Sequence, residues 1–183
     1  MRVLVSITGA SGSIYGVRLV EELVKAKVEV FLIISETAAP ILEFETKYSV
    51  KQVEKLAEKV YENADLWAGP SSGTFPLDAM VVAPCSMKTL SAVAHGFEES
   101  LTARASSCML KEGRKLVLVI RETPLDLPGV RNLLLAKEAG AVILPAMPAF
   151  YEKPKTIDDL VDFVVGKVLD QLGVKHSLYK RWK

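Results

Sequence analysis

Hydrophobic positions along the chain fall into short, nearly unbroken blocks separated by stretches with helical spacing. Arg2-Val3-Leu4-Val5-Ser6-Ile7 is almost wholly apolar and stops at Thr8-Gly9, as a strand buried on both faces would. Ile14, Val17, Val20 and Val24 then recur at helical spacing, with Ser13 standing where an N-cap is expected. Val28 to Ile34 is a second apolar block. A helix is expected from Thr37, and the spacing of Val53, Leu56 and Val60 predicts another. Residues 62–77, with Asn63, Gly69-Pro70, Ser71-Ser72-Gly73 and Pro76, read as loop. Ala79 to Ala83 is a third strand, which Pro84 should end. Residues 87–95 and 99–111 read as helices, Lys115 to Ile120 as a strand, and Pro128 as a helix start. Ala141 to Leu144 forms a short last strand before Pro145. The final helix is the clearest: Thr156 and Asp159 make a capping box, Leu160, Phe163, Val164 and Val168 a stripe, and Gly173 a stop.

Apolar strands alternating with helices predict an α/β fold with a parallel sheet covered on both faces, one helix layer on each side. A length of 183 residues is that of one domain, here 1–183, with 174–183 as a C-terminal tail. Composition narrows the partners. Lys plus Arg is 23 and Asp plus Glu is 22, so a basic surface for nucleic acid is not expected. The first apolar block is too short for a secretory h-region, and no 18-residue apolar run predicts a membrane span. Cys85 and Cys108 form no CxxC and no metal-type cluster. The expectation is a cytoplasmic, metal-free protein.

In a parallel sheet, ligands bind beyond the carboxyl ends of the strands, which selects the loops 8–13, 35–37, 84–89 and 121–125. Thr8-Gly9-Ala10-Ser11-Gly12-Ser13 joins a strand to a helix and offers backbone N–H groups and two hydroxyls to an anion. Its glycines, at 9, 12 and 16, match neither GxGxxG nor a Walker A loop; a mononucleotide phosphate or monophosphate ester suits it better. Ser35 and Thr37 offer hydroxyls to a phosphate, or Ser35 is a plain helix cap. Pro84-Cys85-Ser86-Met87-Lys88-Thr89 could face a flat ring and its polar edge. Cys85 lacks a histidine placed to activate it and reads as a buried hydrophobe. Arg121 at a strand end is a candidate phosphate fork, Glu122 beside it a proton carrier or orienter, and Arg104 a second anion contact. Phe150 and Tyr151 could wall an apolar pocket. Glu45 lies in a neighbourhood that does not distinguish it from a surface acid.

Taken together, Thr8-Gly9-Ala10-Ser11-Gly12 with Tyr15-Gly16, Pro84-Cys85-Ser86 with Thr89-Leu90-Ser91, Arg121-Glu122-Thr123-Pro124, Pro145-Ala146 with Phe150-Tyr151, and Leu160-Val161-Asp162-Phe163-Val164 resemble the UbiX-type flavin prenyltransferases, formerly described as aromatic acid decarboxylases. The resemblance spans nearly the whole chain and includes Arg181-Trp182. It implies a Rossmann-like domain in a homododecamer, with the flavin site between subunits. It implies dimethylallyl monophosphate as donor, reduced FMN alkylated at N5 and C6, and a UbiD-type decarboxylase as recipient of the prenylated product.

Carried over residue by residue, the resemblance places Gly9, Ala10, Ser11, Ser35, Ser86, Met87 and Thr89 around the flavin, and Arg104 on its phosphate. Lys111, Arg121, Tyr151 and Lys167 would surround the prenyl phosphate, with Trp182 closing from the tail. Glu122 would aid phosphate release, Glu45 would move the proton for ring closure, and Ser11 would act with them. Lys167 stands where family members commonly have Arg, keeping the charge without the bidentate fork. Ser100-Leu101-Thr102 and Ser107-Cys108-Met109 also depart from the family pattern, and Glu98 and Glu99 add negative charge beside Arg104. Two alternatives share the fold: an FMN-dependent decarboxylase of a cysteinyl substrate, which needs a histidine near the first helix where this chain has none before His95, and a flavin-binding protein without chemistry.

Overall fold

A computed structural model describes residues 1–182. Six parallel strands build one sheet: β1 (Arg2–Ile7), β2 (Glu29–Ile34), β3 (Lys59–Tyr61), β4 (Ala79–Cys85), β5 (Lys115–Ile120) and β6 (Val142–Pro145), in the order β3-β2-β1-β4-β5-β6. Seven helices connect and cover them: α1 (Ser13–Lys25), α2 (Ala38–Glu45), α3 (Val50–Glu54), α4 (Met87–His95), α5 (Leu101–Lys111), α6 (Leu127–Glu138) and α7 (Ile157–Leu172).

Side chains alternate across the strands and feed two cores. Val3, Val5 and Ile7 of β1 pack with Val81, Val117 and Val119 against α1 and α7. Leu4 of β1 joins Met80, Val82, Leu116 and Leu118 against α4, α5 and Ala136 of α6. Ser6 is the one polar side chain inside β1, and it is satisfied. Its Oγ lies 2.7 Å from Thr102 Oγ1, which in turn donates to Asn63 Oδ1 at 2.8 Å. This buried relay fastens the loop after β3 to the sheet.

Most of the expected elements stand within a residue or two, and three expectations are corrected. Val60 lies in edge strand β3, not in a helix, so the Val53–Leu56 stripe supports only the short α3. Pro84 does not end its strand. β4 runs through it to Cys85, with a register shift against β5 between Val82 and Cys85 that accommodates the missing N–H. Ser13 is not the N-cap of α1; Gly12 is, in the left-handed conformation at φ 98°, which a residue with a side chain rarely adopts. The capping box of Thr156 and Asp159 and the left-handed Gly173 delimit α7 as expected.

The strand order reverses direction of travel at β1, which pairs with both β2 and β4. Crevices open at such a switch point. Thr8 closes its floor: its Oγ1 donates to Pro84 O at 2.8 Å and accepts from Ser86 N at 2.9 Å. Gly16 lets α1 lie directly on β4, since a Cβ there would stand 2.2 Å from Ala83 O. Gly16→Ala should therefore destabilise the fold by about 1–3 kcal/mol or more, because the obstacle is backbone and cannot rotate away. Thermal unfolding of the variant beside the parent checks this.

Candidate active site

The four loops chosen from the sequence meet at the carboxyl edge of the sheet. They line an open crevice of ≈ 1140 Å³ with Thr8, Gly9, Ala10, Ser11, Ser35, Ser86, Met87, Thr89, Arg121 and Glu122 among its walls. Of the candidate residues, nine share this crevice: Gly9, Ala10, Ser11, Ser35, Ser86, Met87, Thr89, Arg121 and Glu122. Asn63, His95, Phe97 and Ser100 also line it and were missed. Asn63 follows β3, whose three residues read as helix, so the strand-end rule did not reach it. Ser35 also caps: its Oγ accepts from Ala38 N at 3.2 Å, satisfying a free N–H at the start of α2. Ser86 does the same for α4 through Thr89 N, and its Oγ lies 3.0 Å from Thr89 Oγ1. Cys85 is fully buried, and burial pushes its thiol up to about 12, which suits a core residue and not a nucleophile.

The anion expected at the start of α1 is supplied by the chain itself. Glu45, the last residue of α2, places Oε2 2.7 Å from Gly12 N and 3.2 Å from Ser13 N. Partial burial opposes its ionisation, but the Ser11 hydroxyl, the two backbone N–H groups and nearby Arg121 outweigh that and hold its pKa below the ordinary carboxylate value. The loop is thus an anion nest whose Gly12 and Ser13 N–H groups donate to the Glu45 carboxylate. Arg121 reaches the same loop, donating from Nε to Ser11 O at 2.9 Å. Glu122, next to it, is exposed and accepts from Thr123 N through its own carboxylate. Beside Glu45 and Ser11, an apolar hollow of ≈ 460 Å³ is walled by Pro40, Ile41 and the 92% exposed Phe44.

The remaining candidates stand outside the crevice. Arg104 donates to Ser71 O at 2.9 Å and is ion-paired with Glu98, whose pKa is lowered by a hydrogen bond from Ser107 and by Arg104 itself. The acid noted beside Arg104 is thus its partner. Lys111 ends α5 and is exposed. Tyr151, Lys167 and Trp182 belong to a third cluster along α7: Trp182 meets Tyr151 edge-on at 5.1 Å between ring centres, and Lys167 Nζ lies 3.7 Å from Asp170. Asp170 also receives Tyr179, Arg181 and His176, and although burial opposes it these hydrogen bonds lower its pKa to about 2. Its contribution to stability is therefore complete above about 4 and lost as pH falls through about 2. Acid titration of folded protein should show a loss of stability in that window that Asp170→Asn lacks.

Comparison with known proteins decides what this arrangement belongs to. The flavoprotein family model matches residues 1–169. The flavin prenyltransferase UbiX of Methanocaldococcus jannaschii is 48% identical over 182 residues, covering 100% of this chain and 98% of that protein. The chain belongs to the UbiX flavin prenyltransferase family. AnUbiX, solved with FMN and dimethylallyl pyrophosphate, superposes on this UbiX-family chain with a TM-score of 0.98 at 43% identity, covering 100% of this chain and 97% of that one. A dodecameric FMN-dependent UbiX-like decarboxylase from Escherichia coli O157:H7 gives 0.97 at 44% identity, covering 100% of both chains.

The residues present fit a UbiX flavin. The crevice is of the size of a ligand site. Its floor brings Gly9 so close to Thr37 that a Cβ would stand 2.7 Å from the threonine methyl. Its walls alternate hydroxyls with Ala64, Met87 and Ala92, which suits a flat ring with a polar edge. Among the described residues no group of His, Cys, Asp and Glu could hold a metal ion, and no helix is long and apolar enough to cross a membrane. His95, the first histidine of the chain, closes α4 and faces Asn132 at 3.0 Å; α1 carries none.

Proposed function

We propose that this chain transfers a dimethylallyl group from dimethylallyl monophosphate to N5 and C6 of reduced FMN. Its product would serve a UbiD-type decarboxylase. The observation that carries the reading is the juxtaposition of an ionised Glu45, seated by Ser11, Gly12 and Ser13, with Arg121 at the rim of a flavin-sized crevice. Its support from relatives is the 43% identical AnUbiX, which holds FMN and dimethylallyl pyrophosphate together. Reduced flavin supplies the nucleophile when bound. Gly9, Ala10, Ser35, Ser86, Met87 and Thr89 hold and orient it, and Arg104 exchanges Glu98 for its phosphate.

Arg121 stabilises charge that grows on the departing prenyl phosphate, with Lys111, Tyr151 and Lys167 completing the anion's surroundings. Glu122 assists that departure, and Glu45 moves the proton for ring closure with Ser11 as its hydrogen-bond partner. Apolar side chains and Trp182 keep water from the reacting allyl group. Arg104 and Lys111 of α5 and the α7 cluster lie outside the protomer's own crevice, so the complete site forms where protomers meet. A homododecamer, as in the Escherichia coli relative, would supply that contact, in the cytoplasm where reduced FMN is at hand. The test is anaerobic incubation with reduced FMN and dimethylallyl monophosphate, or the diphosphate in parallel, and mass spectrometry of the released flavin. A gain of one C5H8 unit with the monophosphate supports the proposal. Unmodified flavin from both, with FMN bound, overturns it.

A further inference from the structure

The last nine described residues have no regular secondary structure, yet their side chains bond to and pack on α7. Ordering such a segment costs conformational entropy at every residue, so something must hold it. The structure places one carboxylate at the centre of that hold. Asp170, in the last turn of α7 and with its side chain only 18% exposed, receives Tyr179 Oη, Arg181 Nη2 at 2.6 Å and His176 Nε2 at 3.2 Å. The His176 side chain is 2% exposed, and its Nδ1 accepts from Leu178 N at 3.2 Å. Its proton is thereby assigned to Nε2, the nitrogen facing Asp170. Lys167 Nζ, on the same face of the helix, stands 3.7 Å from the other carboxylate oxygen.

Two further observations show that the seat is built for the strap. Gly166 leaves the space the strap fills: a Cβ there would stand 2.5 Å from the Tyr179 ring and 2.8 Å from His176. An acid in the last turn of a helix also works against the helix dipole, and α7 has no basic residue there to offset it. Asp170 thus meets an unfavourable local field and is stabilised by donors from the strap. Beyond it, Tyr179 packs on Phe163 at 5.0 Å, Tyr151 on Phe163 at 6.1 Å, and Trp182 on Tyr151 at 5.1 Å. The path from carboxylate to indole is continuous.

We propose that Asp170 is a positioning residue: it fastens the 174–182 strap to α7 and so sets Trp182, and with it Tyr151 and Lys167, to receive the prenyl phosphate. This rests on the prenyl-transfer reading for the role of those three residues, while the anchoring itself does not.

The experiment compares full-length parent, Asp170→Asn and Tyr179→Phe, the second removing one strap bond without touching α7. Each is assayed for trypsin cleavage at Lys175 and Lys180, FMN affinity, thermal midpoint, and KM and kcat for dimethylallyl monophosphate. Release of the strap should speed cleavage and raise KM by roughly tenfold in Asp170→Asn, with a smaller rise in Tyr179→Phe and FMN affinity unchanged. Unchanged cleavage in both variants overturns the anchor. Faster cleavage with unchanged KM overturns the positioning role. A merely structural part would lower the midpoint and FMN affinity together without a selective rise in KM, and that too overturns it. If Asp170→Asn does not fold, Tyr179→Phe decides alone. If the parent itself makes no prenylated flavin, the functional reading fails, and with it the positioning role, while the cleavage rates still judge the anchor.

Discussion

Glu45→Gln should bind FMN within about twofold of the parent and lose prenyl transfer by a factor on the order of 10²–10⁴, the range spanned by a positioned proton-transfer group. The geometry makes the substitution clean. A glutamine carbonyl can still accept from Gly12 N and Ser13 N, so the nest at the start of α1 stays satisfied and the loop keeps its shape. Only the charge and the ability to take up and release a proton are removed. Single-turnover mass spectrometry of the flavin, with a parallel flavin titration, separates the two effects. Loss of FMN binding would instead make the carboxylate a structural clasp of the loop. The acid side of the rate profile should also fall below the ordinary carboxylate value of 4.5, since the donors around Glu45 depress its pKa and the ionised form persists to lower pH.

Arg121→Ala should raise KM for the prenyl phosphate by on the order of 10²-fold, because the phosphate would lose a charge-assisted guanidinium partner. FMN affinity should change far less. Arg121 uses Nε to hold Ser11 O at 2.9 Å and lines the crevice, while its two Nη groups make no hydrogen bond among the described residues. Arg121→Lys should recover only part of the loss, as an ammonium cannot keep the Ser11 contact and present a fork at once. Steady-state kinetics in both substrates checks this. An equal loss in FMN affinity would place Arg121 on the FMN phosphate.

What could be read from the chain and what could not has a physical boundary. Strands buried on both faces announce themselves as unbroken apolar runs, so β1, β2, β4 and β5 were legible, and the rule about strand ends then gave the crevice. β3 has only three residues and one buried side chain, too little for a period to be counted, and Asn63 was lost with it. Pro84 was read as a stop because proline lacks an N–H, whereas the register shift against β5 removes the need for one. Glu45 is 33 positions from Gly12; its seat depends on where β2 delivers α2, which no local pattern encodes. Glu98 and Arg104 are six residues apart across a helix start, and their pairing likewise needed the fold. Nothing in the sequence singles out Asp170, whose partners Tyr179, Arg181 and His176 come from the segment that follows α7.

The position of α7 in the chain has a consequence for synthesis. Val161, Val164, Val165, Val168 and Leu169 close the same core that α1 and the central strands begin, yet they are made after all six strands. Domains tend to fold from the N-terminal end as they emerge, at roughly 5–20 residues per second. Here α1 can cover β1 and β4 early, but the part of that face over β5, with Val117 and Val119, stays uncovered until α7 arrives. The nascent polypeptide should therefore depend on holding chaperones until α7 emerges and should fold as a unit only then. A ribosome-stalled chain ending before Ile157 should be protease-sensitive throughout, whereas one with α7 fully exposed should not.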